Sequence, residues 1–133
     1  MSDARKKVLM VDDDVDFIEA NKVALEAAGF QVLTAADSRQ GVEMAQKDLP
    51  DLIIMDLMME RLYAGFSAVE AIRSHEETRQ TPIIMVTTEA EKSRVIDAIK
   101  AGVNNYVVKP FTPDLLSQRI QETLAKCGAP AAA

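Results

Sequence analysis

Short continuous apolar runs alternate along this chain with longer stretches in which apolar residues recur every three or four positions. Lys7 to Val11 is the first such run, rich in Val, Leu and Met, and predicts a strand buried on both faces. From Val15 the residues Phe17, Ile18, Asn21, Ala24, Leu25 and Ala28 fall on or near one helical face. Gly29 closes that helix at the C′ position, where a positive φ costs glycine nothing. Phe30 to Ala35 gives a second strand, and Ser38 reads as the N-cap of a short helix running through Val42 and Ala45. Pro50 to Asp56 is the third strand, followed by a long loop from Leu57 to Gly65. Phe66, Val69, Ile72 and Arg73 outline a third helix, and His75 to Thr81 is a polar connector. Pro82 to Thr87 predicts the fourth strand, while Val95, Ala98, Ile99 and Val103 mark the fourth helix. Asn105 to Val108 is the fifth strand, and Lys109-Pro110-Phe111-Thr112-Pro113 leads into the last helix with Thr112 as N-cap and Pro113 at its first position.

Strands alternating with helices in this way predict an α/β fold with a parallel sheet, each crossover being long enough for a right-handed βαβ unit. The carboxyl ends of the strands then share one edge. That edge collects Asp12 and Asp13 after the first strand, Asp56 after the third, Thr87 after the fourth and Lys109 after the fifth. Open α/β sheets bind ligands there, so the coincidence points to a site. There is no Gly-rich phosphate loop after the first strand and no GxGxxG, which removes support for the usual modes of nucleotide binding.

The chemistry follows from the residue types. Two carboxylates about 4 Å apart repel by about 4 kcal/mol at an effective dielectric near 20, and a third adds to this. A hard divalent cation relieves the repulsion, and oxygen-only ligation is what Mg²⁺ prefers. A carboxylate can also accept a phosphoryl group to give an acyl phosphate. Lys109 supplies fixed positive charge, and Thr87 a hydroxyl donor for a phosphoryl oxygen. Each residue has a plainer reading when taken singly: Asp12 to Asp14 as a solvated helix start, Thr87 as a strand former, Lys109 as a loop lysine. Their common edge favours the site. An X-Pro bond before Pro110 admits a cis form that would turn Lys109 inward.

Composition narrows the classes. At 133 residues with 48% hydrophobic content, the chain can bury one core. No apolar stretch approaches the roughly 18 residues of a membrane helix, and the N-terminal segment lacks the apolar core of a signal peptide, which leads to the expectation of a cytoplasmic protein. Asp plus Glu outnumber Lys plus Arg 21 to 15, a net charge of −6 that argues against a nucleic-acid surface on this domain. Cys127 is alone and is read as filler on the apolar side of the last helix; His75, also alone, lies in the polar connector and reads as solvated. Residues 1–127 form the expected domain, with 128–133 a flexible tail or linker remnant.

Val-Asp-Asp-Asp after the first strand, Leu-Ile-Ile-Met-Asp56, Met-Val-Thr87 and Tyr106-Val-Val-Lys109-Pro110-Phe111 together resemble the receiver domain of bacterial two-component response regulators, most of all the single-domain chemotaxis type. The resemblance covers nearly the whole chain. It implies a flavodoxin-like (βα)5 three-layer sandwich with a five-stranded parallel sheet of order 2-1-3-4-5, for which a chemotaxis regulator is a standing example. It implies that Asp56 takes a phosphoryl group from the phosphohistidine of a sensor histidine kinase or phosphotransfer protein. It further implies that Asp12, Asp13, Asp56 and the backbone carbonyl of Met58 bind Mg²⁺, that Thr87 and Lys109 contact the phosphoryl group, and that Thr87 and Tyr106 form a switch. Output then runs through the fourth helix, fifth strand and last helix to a downstream protein or domain, with the chain a monomer or a phosphorylation-dependent dimer. No membrane is involved. The resemblance implies a regulatory phosphoacceptor that assists its own phosphorylation and dephosphorylation, and not an enzyme.

The chain departs from the family pattern between Asp56 and Gly65. Glu60 stands where the family has Pro after Met, Arg61-Leu62-Tyr63-Ala64 adds one residue before Gly65, and Tyr63 is placed to cover the site. Thr88 replaces the small residue usual after the switch threonine. In this family the side chains two places after the acceptor and two after the switch threonine tune attack by water; here they are Met58 and Glu89. Two other classes remain open: a Mg²⁺-dependent phosphohydrolase with an aspartyl-phosphate intermediate, and a phosphorylation-independent interaction domain on a receiver scaffold. The first usually carries a second carboxylate where Met58 stands; the intact set Asp12, Asp13, Asp56, Thr87 and Lys109 weighs against the second.

Overall fold

The computed structural model describes residues 5–59, 63–88 and 92–127. The elements along them are β1 (Lys7–Val11), α1 (Val15–Ala27), β2 (Gln31–Ala35), α2 (Ser38–Asp48), β3 (Leu52–Asp56), α3 (Ala64–Ser74), β4 (Ile83–Thr87), α4 (Lys92–Ala101), β5 (Asn105–Val108) and α5 (Pro113–Cys127). Every strand pairing is parallel, and the sheet order is β2-β1-β3-β4-β5. The parallel α/β sheet is what the alternating pattern predicts, and its flavodoxin-like order is the one that the resemblance to receiver domains implies.

The alternation of side chains along each strand divides the core in two. Leu9, Val11, Ile53, Met55, Ile83 and Met85 point to one face, where Ala45 of α2, Val69 and Ile72 of α3 and Ala98 of α4 cover them. Val8, Met10, Leu52, Ile54, Ile84 and Val86 point to the other, against Leu25 of α1 and Leu116 and Ile120 of α5. β3 and β4 are buried at every position, which is why their sequences read as unbroken apolar runs. Each fully buried Leu, Ile or Met contributes roughly 1.5–3 kcal/mol, so the central strands anchor the edge from which the polar residues emerge. No helix among the described residues is long and apolar enough to cross a membrane.

Helix ends follow local chemistry, with three departures from expectation. Asp14 caps α1 by accepting the Phe17 N–H at 3.1 Å, and Gly29 adopts φ +102° at its far end. Thr112 Oγ1 accepts the Leu115 N–H at 3.2 Å, with Pro113 opening α5. The cap of α2, however, is Asp37 and not Ser38: its extended backbone lets the carboxylate accept the Gln40 N–H at 2.8 Å, and Ser38 is the buried first residue of the helix. α3 begins at Ala64, so Gly65 lies within the helix and does not end the loop. Ala98 packs inward from α4 and Val95 is half-buried, but Ile99 is 61% exposed.

The His75 to Thr81 connector is less uniformly solvated than its polarity suggests. His75 is exposed and lies 3.5 Å from Glu77, whereas Thr78 is fully buried and donates its hydroxyl to the Ile72 carbonyl at 2.7 Å. Residues 1–4, Glu60-Arg61-Leu62, Glu89 and the tail 128–133 lie outside the described residues, as does the side chain of Cys127.

Candidate functional site

Strand register brings the predicted residues together. Val11 pairs with Met55, so Asp12 leaves β1 beside Asp56, the last residue of β3. Asp56 pairs with Val86, which sets Thr87 one step further along β4. Thr87 pairs with Val108, immediately before Lys109. Backbone bonds fix the loops that follow: the Asp12 N–H donates to Ala35 O at 3.1 Å and the Lys109 N–H to Thr87 O at 2.8 Å. The Lys109-Pro110 peptide bond is cis.

Asp12 and Asp56 are buried, Asp13 is exposed, and one carboxylate oxygen from each lies within 4.8 Å of the others. At that separation two unscreened like charges repel by about 3 kcal/mol at an effective dielectric near 20. The cluster is held by Lys109, whose Nζ is 2.8 Å from Asp12 Oδ2 and 3.9 Å from Asp56 Oδ2. The other oxygen of Asp12 accepts the Asp14 N–H at 2.9 Å. With all three carboxyls ionised, one ammonium leaves two negative charges over, in a donor set made only of oxygen. That set fits a hard divalent cation.

Burial, then the neighbouring Asp12 charge, pushes the Asp56 carboxyl up from its ordinary 3.8 to about 7, against the opposing pull of Lys109 and a backbone hydrogen bond from Met58. Thr87 is buried at the same edge, and Thr88 is exposed. Tyr106 is half-buried on β5, and Met58 and Met59 are half-buried beyond Asp56; all pack against the core on the α2, α3 and α4 side.

Some participants were not legible in the sequence. Phe17 lies beneath Lys109, with Nζ 4.0 Å from the ring centroid, and meets Phe111 edge-on at 5.8 Å. Its place in the first turn of α1, behind the acidic run, was the available signal. Gly65 fits tightly against the backbone at Asp56: its N–H donates to Leu57 O at 2.8 Å, and a Cβ there would lie 2.8 Å from Leu57 Cα and closer still to the Asp56 carbonyl. Tyr63 does not stand free over the site. Its hydroxyl accepts from Arg94 Nε at 3.0 Å and its ring stacks on Phe66.

Comparison with known proteins agrees with this geometry. Residues 8–121 match the model of the response regulator receiver domain. The chain is 38% identical over 122 residues to the chemotaxis protein CheY1 of Helicobacter pylori, covering 89% of this chain and 96% of that protein. The structure of chemotaxis protein CheY4 of Vibrio cholerae superposes with a TM-score of 0.86 at 37% identity, covering 91% of this chain and all of that one. The receiver domain of sensor histidine kinase PA1611 from Pseudomonas aeruginosa, solved with a magnesium ion in its active-site cleft, has a TM-score of 0.83 at 31% identity, over 92% of this chain and 99% of that one. The chain spans about half the length of the transcriptional regulators among its curated relatives. Sheet order, sequence and acidic edge agree in placing the chain in the response regulator receiver domain family of two-component signalling.

Proposed function

We propose that Asp56 is the phosphoacceptor of this receiver. The observation that carries the reading is the position of Asp56: buried at the centre of the strand edge, beside two further carboxylates and 3.9 Å from the Lys109 ammonium. A carboxylate oxygen of Asp56 attacks the phosphorus of a phosphohistidine on a sensor histidine kinase or phosphotransfer protein. The O–P bond forms as the N–P bond breaks, and the electron pair leaves with the imidazole. Lys109 holds positive charge beside the incoming group, and the Thr87 hydroxyl donates to one of its oxygens. Phe17 and Asp12 position the ammonium.

Asp12, Asp13, Asp56 and the backbone carbonyl of Met58 are the proposed Mg²⁺ ligands, a choice supported by the oxygen-only, negatively charged donor set and by the magnesium-bound relative. When bound, Mg²⁺ offsets the charge of the phosphoryl oxygens. Thr87 and Tyr106 form the switch: the hydroxyl moves toward the phosphoryl group and the ring turns inward, altering the surface of α4, β5 and α5 that meets the output protein or domain. The chain acts as a regulatory phosphoacceptor and does not turn over free phosphate esters, since Met58 offers no second carboxylate for that chemistry. Residues 1–127 are the receiver and 128–133 a tail or linker, working in the cytoplasm.

Reductive trapping tests the acceptor. After incubation with a small-molecule phosphodonor and Mg²⁺, borohydride converts an aspartyl phosphate to homoserine. Peptide mass spectrometry should place homoserine at position 56; homoserine at another aspartate, or at none, overturns the assignment.

A further inference from the structure

Lys109 stands closer to Asp12 than to Asp56, with an aromatic ring against its ammonium. Nζ donates to Asp12 Oδ2 at 2.8 Å, whereas Asp56 Oδ2 is 3.9 Å away, an ion pair beyond hydrogen-bond reach. The third neighbour is the face of Phe17, whose centroid lies 4.0 Å from the nitrogen. The Lys109 side chain is only 16% exposed, so water competes little for the ammonium and the ring attracts it more strongly than at an open surface.

Phe17 is itself fixed on three sides. Its N–H donates to Asp14 Oδ1 at 3.1 Å, and its carbonyl accepts from Nδ2 of the buried Asn21 at 2.9 Å. Its ring meets Phe111 at 5.8 Å with the two planes 89° apart. The ring is thus set by α1 and by Phe111, and the ammonium comes to it. Any apolar side chain in this first turn of α1 could pack against the core on the α1 and α5 side, but only an aromatic one attracts a cation.

We propose that Phe17 is a positioning residue for phosphoryl transfer, its ring holding the Lys109 ammonium short of Asp56 Oδ2 and so leaving that oxygen free to attack. The proposal rests on the reading of Asp56 as phosphoacceptor and assigns a role in that reaction to a side chain outside the acidic edge. An ammonium hydrogen-bonded to the attacking oxygen would tie up a lone pair and weaken the nucleophile. Seated on Phe17 and Asp12, it offers its charge to the oxygens of the incoming phosphoryl group instead. Opposite charge draws Nζ toward Asp56, so the seat needs attractions on its other sides, and Phe17 supplies one that carries no charge. Phe17 acts through Lys109 and does not itself touch the reacting atoms.

The test follows phosphorylation of the full chain by phosphoramidate in saturating Mg²⁺, read by intact mass. The Asp56 oxygen forms its O–P bond as the P–N bond of the donor breaks and ammonia leaves with the electron pair. The parent is compared with chains carrying monofluorinated and trifluorinated phenylalanine at position 17, which keep the shape and apolar character of the ring while withdrawing charge from its face, and with Phe17→Leu. The rate at fixed donor concentration should fall stepwise with fluorination, by about fivefold in the trifluorinated chain and at least as much in Phe17→Leu, inside the roughly 3- to 30-fold that a partly desolvated cation–π contact carries. The NMR signals of the Lys109 ε-methylene protons, displaced by the ring in the parent, should return to their ordinary position in Phe17→Leu. Equal rates across the fluorinated series, or undisplaced ε-methylene signals in the parent, overturn the seat whatever Phe17→Leu does, because packing alone predicts both. A parent that takes no phosphoryl group at Asp56 overturns the acceptor reading and the seat together; a parent labelled at Asp56 at rates that ignore fluorination overturns the seat alone.

Discussion

Asp56→Asn should stabilise the metal-free protein at alkaline pH. In the folded chain the Asp56 carboxyl is raised from 3.8 to about 7, first by burial and then by the charge of Asp12. Because the folded value lies above the unfolded one, the neutral group adds full stability below about pH 4, and this is lost as pH rises through about 7. The gap between the two values corresponds to about 4 kcal/mol. The part of this gap that comes from Asp12 is shared between the two carboxyls, so the gain expected from Asp56 alone is about 2–4 kcal/mol. Asn keeps the shape and can still accept the Met58 bond, while Lys109 keeps its closer partner Asp12 at 2.8 Å. Urea unfolding of parent and variant in chelator, at pH steps from 5 to 9, measures the difference directly. The variant should already show about a third of its gain near pH 5 and reach a plateau of about 2–4 kcal/mol above about pH 7, a melting shift on the order of 10 °C. Millimolar Mg²⁺ should narrow the gap by stabilising the parent preferentially. A difference that does not change with pH, or a parent more stable than the variant at pH 9 without metal, would refute the reasoning.

Three further substitutions test other parts of the structure. Gly65→Ala should lower stability by about 1–3 kcal/mol in chemical denaturation, because the new methyl meets the Asp56 carbonyl and Leu57 Cα; a neutral result would mean that α3 does not sit so tightly on β3. Leu49 caps α2 with φ +48° and is 51% exposed, so Leu49→Gly should raise stability by up to about 1 kcal/mol, and a loss would contradict the left-handed cap. Met58 is apolar and cannot orient water, so Met58→Asn should lose its phosphoryl group faster than the parent in a time course by intact mass; an equal or slower rate would remove Met58 from control of hydrolysis.

The fold was legible wherever burial on both faces forces a continuous apolar run, as in Ile53-Ile54-Met55 and Ile83-Ile84-Met85, because polar residues cannot interrupt a central parallel strand. The same constraint made the site readable: the first polar residue after each run must emerge at one edge, so Asp12 and Lys109, 97 residues apart, meet at 2.8 Å. Boundaries were less legible where two neighbours can do the same job. Asp37 and Ser38 both suit an N-cap, and only the extended backbone at Asp37 decides between them. Gly65 reads as a loop residue because glycine usually breaks helices, yet here it is required by close approach to the Asp56 carbonyl. Ile99 fits an apolar periodicity but faces outward, since α4 packs through Ala98. The Tyr63–Arg94 contact has no local signature, as it depends on how α3 and α4 sit on the sheet.

Intact-mass analysis most directly tests the claim that Asp56 is a metal-dependent phosphoacceptor. The protein is incubated with a small-molecule phosphodonor, with Mg²⁺ or with chelator, beside the Asp56→Asn variant. The account predicts one added phosphoryl group in the parent with Mg²⁺ and none in chelator or in the variant. A folded parent that gains no mass, or a variant that gains as much as the parent, would contradict it.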